Sequence, residues 1–364
     1  MSKISIISLF SGGGGLDLGF INSGYEIKWA IDNEKNAVNT YIANIGQHII
    51  CKDINEVNSS GLLKCDVVIG GPPCQSFSLA GNRKTNDQRG KLVWKYLEII
   101  ECVKPRAFLF ENVTGLLSAK NCYGEKVFPL LTKSFQDLGY TIKAEVLDAS
   151  SYGIPQRRKR VIIVGMKSKN SFIFPNPTHG ELSNNGQKTV NVFDALDDLP
   201  ETKLDSNSFI KYEKEAITEY QQNMRVNSVG VTEHFTPTMS DLDKFIISHV
   251  KPGGNYMDIP PDVPSKRIRR LQRDGGHTTC YGRMCAEMPS YTVNTYFNRP
   301  NVGCNIHYRE NRLISVREAL RLQSFPDNYV IVSSNKQGRN LIVGNAVPPK
   351  LAYVLAEELK RQLV

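Results

Sequence analysis

The chain has 364 residues, 40% of them hydrophobic and 22% charged, which suits a globular protein long enough for two domains. No apolar stretch approaches the roughly 18 residues of a membrane span, so a cytoplasmic protein with reduced thiols and no membrane partner is expected. Lys and Arg number 45 against 36 Asp and Glu, a net charge of +9, which favours an anionic partner such as nucleic acid.

The first half alternates short apolar strands with helical segments, the pattern of a parallel sheet covered on both faces. Its opening, "MSKISIISLF", has the short apolar run of a signal peptide, but it passes into "SGGGG" without a small-residue cleavage pattern and reads as a first buried strand over 4–10. Further strands are expected over 26–32, 48–51, 65–70, 107–112, 141–149 and 160–166, with helices over 16–23, 34–44, 91–103 and 125–138. The link "SSYGIPQRRK" is too short for a crossover helix, so the last two strands should pair as a hairpin and give the sheet an antiparallel edge. After about residue 170 the alternation fails, and "FIFPNPTHGELSNNGQK" has the Pro, Asn and Gly of a boundary. Residues 181–260 carry 7 Lys/Arg and 13 Asp/Glu, a net of −6, whereas residues 261–310 carry 8 against 4, a net of +4. That reversal suggests an acidic portion facing outward and a basic portion aimed at an anionic ligand.

Within this frame, "LFSGGGGLDLG" puts a glycine cluster between the first strand and a helix, where backbone must approach a ligand closely. The spacing GxGxxG is absent, which weakens a nicotinamide reading. Asp32 and Asp53 end the second and third strands, where a carboxylate either accepts from ribose hydroxyls or caps a helix. The stretch "GGPPCQSFS" stops a buried strand abruptly and leaves Cys74 on a loop, and "FENV" sets Glu111 at the end of the neighbouring strand. A carboxylate there is expensive to bury without a role or a partner. Arg158 and Arg160, two apart in "PQRRKR", point the same way on an incipient strand. A thiol, a carboxyl group, paired arginines and an adenosine-type pocket at neighbouring strand ends fit the methylation of cytosine at carbon 5. Thiolate addition at carbon 6 makes the ring an enamine, and protonation or hydrogen bonding at ring nitrogen 3 eases that addition. Cys74 would supply the thiolate, Glu111 the bond to nitrogen 3, and Arg160 the grip on the exocyclic oxygen.

The ordered motifs "FSGGGG", "GGPPCQSFS", "RGKL", "ENV", "QRRKR", "RLISVREALRLQSFPD" and "GNAVPP" span nearly the whole chain, and by them it resembles the bacterial DNA (cytosine-5)-methyltransferases of restriction-modification systems. The resemblance implies a Rossmann-like α/β fold with a mixed sheet that binds S-adenosyl-L-methionine, here residues 1–180. It also implies a smaller target-recognition domain (181–336) and a C-terminal segment (337–364) returning to the first. It makes Cys74 the nucleophile, Glu111 the cytosine-binding acid, and Arg158 and Arg160 the active-site arginines. For the cofactor it implies Phe10 against adenine, Gly12, Gly14 and Gly15 in the loop, Asp32 on the ribose, Asp53 on the adenine amino group, Leu92 in the pocket wall and Asn345 at the methionine end, with Asn33 and Ile54 also among the cofactor-binding residues. Ser8, where many members have Asp, and Asn33, where others have an aromatic, depart from the pattern.

The target cytosine must swing out of the duplex to reach such a pocket, and the loop after Cys74 offers Arg83, Lys84 and Arg89 to phosphates, with Gly81 and Gly90 as hinges. In "PSKRIRRLQRD", Lys266, Arg269, Arg270 and Arg273 share a face if helical, suited either to tracking a DNA backbone or to ordinary solvation. Thr292 and Val293 resemble the family's Thr-hydrophobic pair, and His277, Tyr281 and Arg283 are candidate base readers. The eight cysteines form no CxxC pair and no zinc set, so no metal is expected. The expected partner is double-stranded DNA, acted on by a monomer that shares its site with a cognate endonuclease. The competing readings are an RNA cytosine-5 methyltransferase, whose usual Cys-Phe-Thr signature is absent, and a non-catalytic DNA-binding relative, against which Cys74, Glu111 and Arg160 together argue.

Overall fold

The computed structural model describes residues 3–73, 91–121, 123–184, 186–203 and 208–364. The chain forms two units, one of Met1–Asp148, Lys159–Asn176 and Leu351–Val364, the other of Ala149–Arg158 and Pro177–Lys350. These limits differ from those drawn on the sequence. Residues 149–158 go with the second unit because they pair with its backbone: Arg157 N donates to Ser290 O at 2.8 Å. Likewise the stretch returning to the first unit begins at Leu351 and not at 337.

The first unit is built on a seven-stranded sheet of β1 (Ser5–Leu9), β2 (Glu26–Asp32), β3 (Ile49–Cys51), β4 (Val67–Gly70), β5 (Ala107–Val113), β6 (Thr141–Asp148) and β7 (Lys159–Met166). Its order is β3-β2-β1-β4-β5-β7-β6. The first five strands are mutually parallel and β7 runs antiparallel to both neighbours. The reversed strand therefore lies one place in from the edge, which β6 occupies. Helices α1 (Gly15–Asn22), α2 (Lys35–Asn44), α3 (Lys91–Val103) and α4 (Val127–Asp137) alternate with the strands.

Burial explains why these segments read so clearly. Ile6, Ile7, Val67, Val68, Ile69 and Phe108 to Phe110 are almost wholly buried, as parallel strands covered on both faces must be. In α3 the inward residues Val93, Tyr96, Ile99, Ile100 and Val103 recur at helical spacing. Tyr96 meets Phe110 edge-on at 5.2 Å between ring centroids, and its hydroxyl donates to Leu109 O at 3.0 Å. In the sheet, Gly165 leaves room for Phe108, whose ring would lie 2.1 Å from a Cβ there. The C-terminal stretch is tied down by Lys360 Nζ donating to Ser23 O (2.8 Å) and by Tyr25 Oη donating to Ala356 O (3.0 Å).

The second unit has short helices, a two-stranded ladder (Ile210–Lys211 with Gly230–Val231) and an apolar core around Ile246, Ile247, Tyr256, Ile268, Ile306 and Leu313. Buried ion pairs frame it. The "RLISVREALRLQSFPD" stretch is a structural frame: fully buried Arg321 pairs with Asp198 (2.9 Å) and Asp327 (2.6 Å), and Arg312 pairs with Glu318 at 2.7 Å. Burial alone would raise the Glu318 carboxyl, but Arg312 and then His307 hold it far below the usual range. Asp198 and Glu233 are buried, so the acidic stretch does not face outward throughout. They sit against Arg321 and Arg339, since a buried charge must be paired.

Candidate active site

After Leu9 the backbone turns through Phe10 (φ 55°), Gly12 (φ 55°) and Gly14 (φ 88°), all in the left-handed region. The two glycines serve different ends. A Cβ on Gly12 would meet nothing within 4 Å, so this residue leaves an open approach to the backbone. A Cβ on Gly14 would fall 2.2 Å from Ile45 Cδ1 and 3.0 Å from the Tyr41 ring. Gly14, expected to face a cofactor, is thus glycine for packing, and Gly15 is buried as the first residue of α1.

Gly12 N donates to Asp32 Oδ2 (2.8 Å) and Glu34 N to Asp32 Oδ1 (2.9 Å), fixing the carboxylate at the end of β2. Burial pushes its pKa up, and these amide donors oppose the rise. Phe10, Asp32, Asn33, Asp53, Ile54 and Leu92 line one cleft open to solvent, completed by Ile31, Lys52 and Pro73. Asp53 also caps the turn that follows it, accepting from Asn55 N at 2.9 Å, which is the capping reading left open for it. The cavity sits at the carboxyl ends of β1, β2 and β3, where the strand order reverses beside β1. That switch point is where open α/β sheets leave room for a ligand. Apolar walls and a carboxylate at each of two strand ends suit an adenosine with its ribose hydroxyls.

Beside it, Glu111 and Arg160 meet on one face of the sheet. Val113 of β5 is paired with Arg160 of β7, and a period of two puts Glu111 on the same face as Val113. The result is a diagonal cross-strand pair, Arg160 Nε to Glu111 Oε1 at 2.8 Å, with about a tenth of each side chain exposed. The neighbouring loop is fitted to it: a Cβ on Gly71 would lie 2.6 Å from Glu111 Oε2, and Asn112 Nδ2 donates to Pro72 O at 2.9 Å. Neither Gly71 nor Asn112 was expected at the site from the sequence, although both lie inside its motifs and Gly71 belongs to the stretch that stops the strand. Cys74 follows Pro73 and, with Arg83, Lys84 and Arg89, lies outside the described residues.

The chain matches the profile of the C-5 cytosine-specific DNA methylases over residues 4–361. It belongs to that family. Among curated relatives it is 34% identical to the type II methyltransferase M.NgoFVII of Neisseria gonorrhoeae, covering 98% of this chain and 87% of that one. It is also 34% identical to the type II methyltransferase M.MthTI of Methanothermobacter thermautotrophicus, covering 99% and 98%. A solved structure described as a prophage-encoded DNA modification methyltransferase of E. coli superposes with a TM-score of 0.75 at 23% identity over 99% of both chains. The protein is accordingly a DNA cytosine-5 methyltransferase, and its methyl donor is S-adenosyl-L-methionine. The residues of the cavity fit that donor, since its walls are largely apolar and the carboxylates of Asp32 and Asp53 in its lining offer acceptors.

In the methylase's second unit, several expectations change. Arg158 is completely buried, donating through Nη1 to Val293 O (3.0 Å) and through Nη2 to Gly344 O (2.9 Å) and Ala346 O (2.8 Å). It braces two backbone segments and does not reach substrate. Arg283 is no base reader either, because all five of its N–H donors are spent on Ile247 O, Val250 O, His307 O, Glu310 O and Asn311 Oδ1. Tyr281 is likewise buried, in a left-handed turn within the core. Thr292 uses its hydroxyl on Arg157 O at 2.7 Å. Asn345 is exposed at the end of helix Lys336–Asn345 and His277 is exposed. Helix Lys266–Asp274 turns Ile268 inward and leaves Lys266, Arg269, Arg270 and Arg273 exposed. Arg270 and Arg273 both face Asp274, at 3.6 and 2.6 Å. Among the described residues, no three His, Cys, Asp or Glu side chains gather as metal ligands, and no helix is long and apolar enough to cross a membrane.

Proposed function

We propose that this methylase modifies an extrahelical cytosine within one duplex sequence through a covalent adduct of Cys74. The observation that carries the reading is the Glu111–Arg160 pair, held on adjacent strands of the unit that contains the donor cavity and covered by the Gly71 backbone. Phe10, Asp32, Asn33, Asp53, Ile54 and Leu92 would hold S-adenosyl-L-methionine, which supplies an electrophilic methyl group. The Cys74 thiolate adds to carbon 6 of the ring, and Glu111 gives ring nitrogen 3 a proton or hydrogen bond as negative charge builds there. Arg160 orients the Glu111 carboxyl and offers its remaining N–H donors to the exocyclic oxygen. Carbon 5 thereby becomes nucleophilic and takes the methyl group, leaving S-adenosylhomocysteine, and it then gives its proton to water as the carbon–sulfur bond breaks and frees Cys74. Arg158 acts one step back, by fixing the backbone at Val293 and Gly344.

The second unit would read the DNA, with Lys266 and Arg269 as its least encumbered backbone cations. The enzyme would act as a cytoplasmic monomer alongside a cognate endonuclease. Bisulfite sequencing of DNA from a methylation-free host expressing the chain should show 5-methylcytosine at a single short sequence. Its absence there, while a Cys74→Ser control is equally expressed, would refute the reading.

A further inference from the structure

Beneath the glycine turn lies a carboxylate that the proposed mechanism does not use. Asp17, in the first turn of α1, is fully buried. Ser8 Oγ of β1 donates to its Oδ1 at 2.6 Å, and Tyr41 Oη of α2 donates to its Oδ2 at 2.7 Å. Each donor holds one side of the turn. Ser8 Oγ is 2.9 Å from Ser11 Oγ, and Ser11 sits in the turn with its own amide on Ile31 O at 3.1 Å. The Tyr41 ring is the surface on which Gly14 rests. His48 Nε2 is 2.9 Å from the Tyr41 hydroxyl, which donates to Asp17 and can accept from the imidazole. A single carboxylate thus ties β1, α1, α2 and the turn that presents Gly12 to Asp32 and the donor cavity.

We propose that Asp17 is a positioning residue for the methyl donor, its ionised carboxylate setting the Gly12–Gly14 turn through Ser8 and Tyr41. An ionised Asp17 accepts from both hydroxyls at once. A protonated one carries a hydrogen of its own, so one of the two bonds must reverse or break, and the turn loses its support on that side. Burial pushes this carboxyl up to about 6, against the hydrogen bonds of Ser8 and Tyr41, so the change falls within a pH range where the protein can be studied. The titratable groups facing it are Tyr41 of α2, His48 before β3 and Asp32 at the end of β2. Ser8 and Asp17 also form a hydroxyl–carboxylate pair that can be exchanged.

The inference rests on the donor occupying the cavity beside Gly12. The test is calorimetric binding of S-adenosylhomocysteine to the full chain between pH 5 and 7, with exchange variants measured at pH 7.5. Wild-type affinity should fall severalfold as pH drops through about 6, and Asp17→Asn should bind about tenfold more weakly with a flat profile. A His48→Gln variant should keep the slope, which assigns it to Asp17. Asp17→Ser should lose about tenfold and Ser8→Asp, which opposes two buried carboxyl groups, at least as much. The double exchange Ser8→Asp/Asp17→Ser should return to within about threefold of wild type. Wild-type affinity that is independent of pH overturns the role of Asp17 even if every variant misfolds, as does a double exchange no better than Asp17→Ser. Wild-type protein that binds nothing at any pH overturns the cavity assignment as well.

Discussion

Replacing Gly14 by alanine separates the packing of the glycine turn from its ligand-facing side. At φ 88° an L-residue is strained, which costs about 1–2 kcal/mol. The new methyl group would also stand 2.2 Å from Ile45 Cδ1 and 3.0 Å from the Tyr41 ring, and forcing an extra carbon into a packed site adds about 1–3 kcal/mol. The sum is roughly 3 kcal/mol, or about 6–12 °C in the melting temperature of a folding unit of this size. Gly12→Ala carries only the backbone part, about 1–2 kcal/mol, since its Cβ meets open space. On the proposed reading the methyl donor approaches through that space, so donor affinity should fall by about tenfold or more, some 1.4 kcal/mol. Thermal unfolding and isothermal titration of the two variants give the four numbers needed. Adding Ile45→Ala to Gly14→Ala should recover the overpacking share and leave the backbone share. If Gly14→Ala melts with wild type, or if Gly12→Ala destabilises more than Gly14→Ala while binding the donor normally, the division of labour argued for these glycines is wrong.

Cys74→Ser should abolish methyl transfer while leaving DNA binding intact, and wild-type enzyme should form a denaturation-resistant adduct on target DNA containing 5-fluorocytosine, where elimination is blocked; no adduct on DNA known to hold the site would remove Cys74 from the mechanism. Glu111→Gln keeps the size of the side chain and loses the acid, so turnover should drop by about a hundredfold or more with donor affinity within about twofold, and calorimetry showing equal losses would move Glu111 out of the cytosine site. Lys266→Ala and Arg269→Ala should each shrink the slope of log affinity against log salt by about one unit for target and non-target duplexes alike, and Arg270→Ala and Arg273→Ala by less because Asp274 already faces them. Asp17→Asn should stabilise the fold at pH 8 relative to pH 5. A carboxyl raised from 3.8 to about 6 contributes its full stability below 3.8 and loses it as pH rises through about 6. That makes the ionised group cost about 3 kcal/mol at alkaline pH, and a melting-temperature difference unchanged between the two pH values would contradict it.

The strands and helices of the first unit were legible in the sequence because each carries its own periodic signal. Apolar runs such as Val67–Ile69 are buried on both faces, and the Val93–Val103 spacing has a single inward side. The cavity proposed for the donor was nearly as legible as a cluster, since Phe10, Asp32, Asp53 and their neighbours sit at strand ends, and a parallel sheet gathers its carboxyl ends at one edge. What the sequence could not convey was how a charged side chain is used. Arg158 and Arg160 are two residues apart in one basic motif, yet Arg160 pairs with Glu111 while Arg158 is spent on the backbone of residues 293, 344 and 346. Arg283 looked like a reader of bases and proved to be a buried clamp. A guanidinium has the same hydrogen-bonding capacity in solvent, in an active site or in a core, and only the carbonyls and carboxylates that folding brings to it from distant positions decide which of the three it becomes. The same holds for Asp17, unremarkable in "GGLDLG" until Ser8 from one side and Tyr41 from the other close on it.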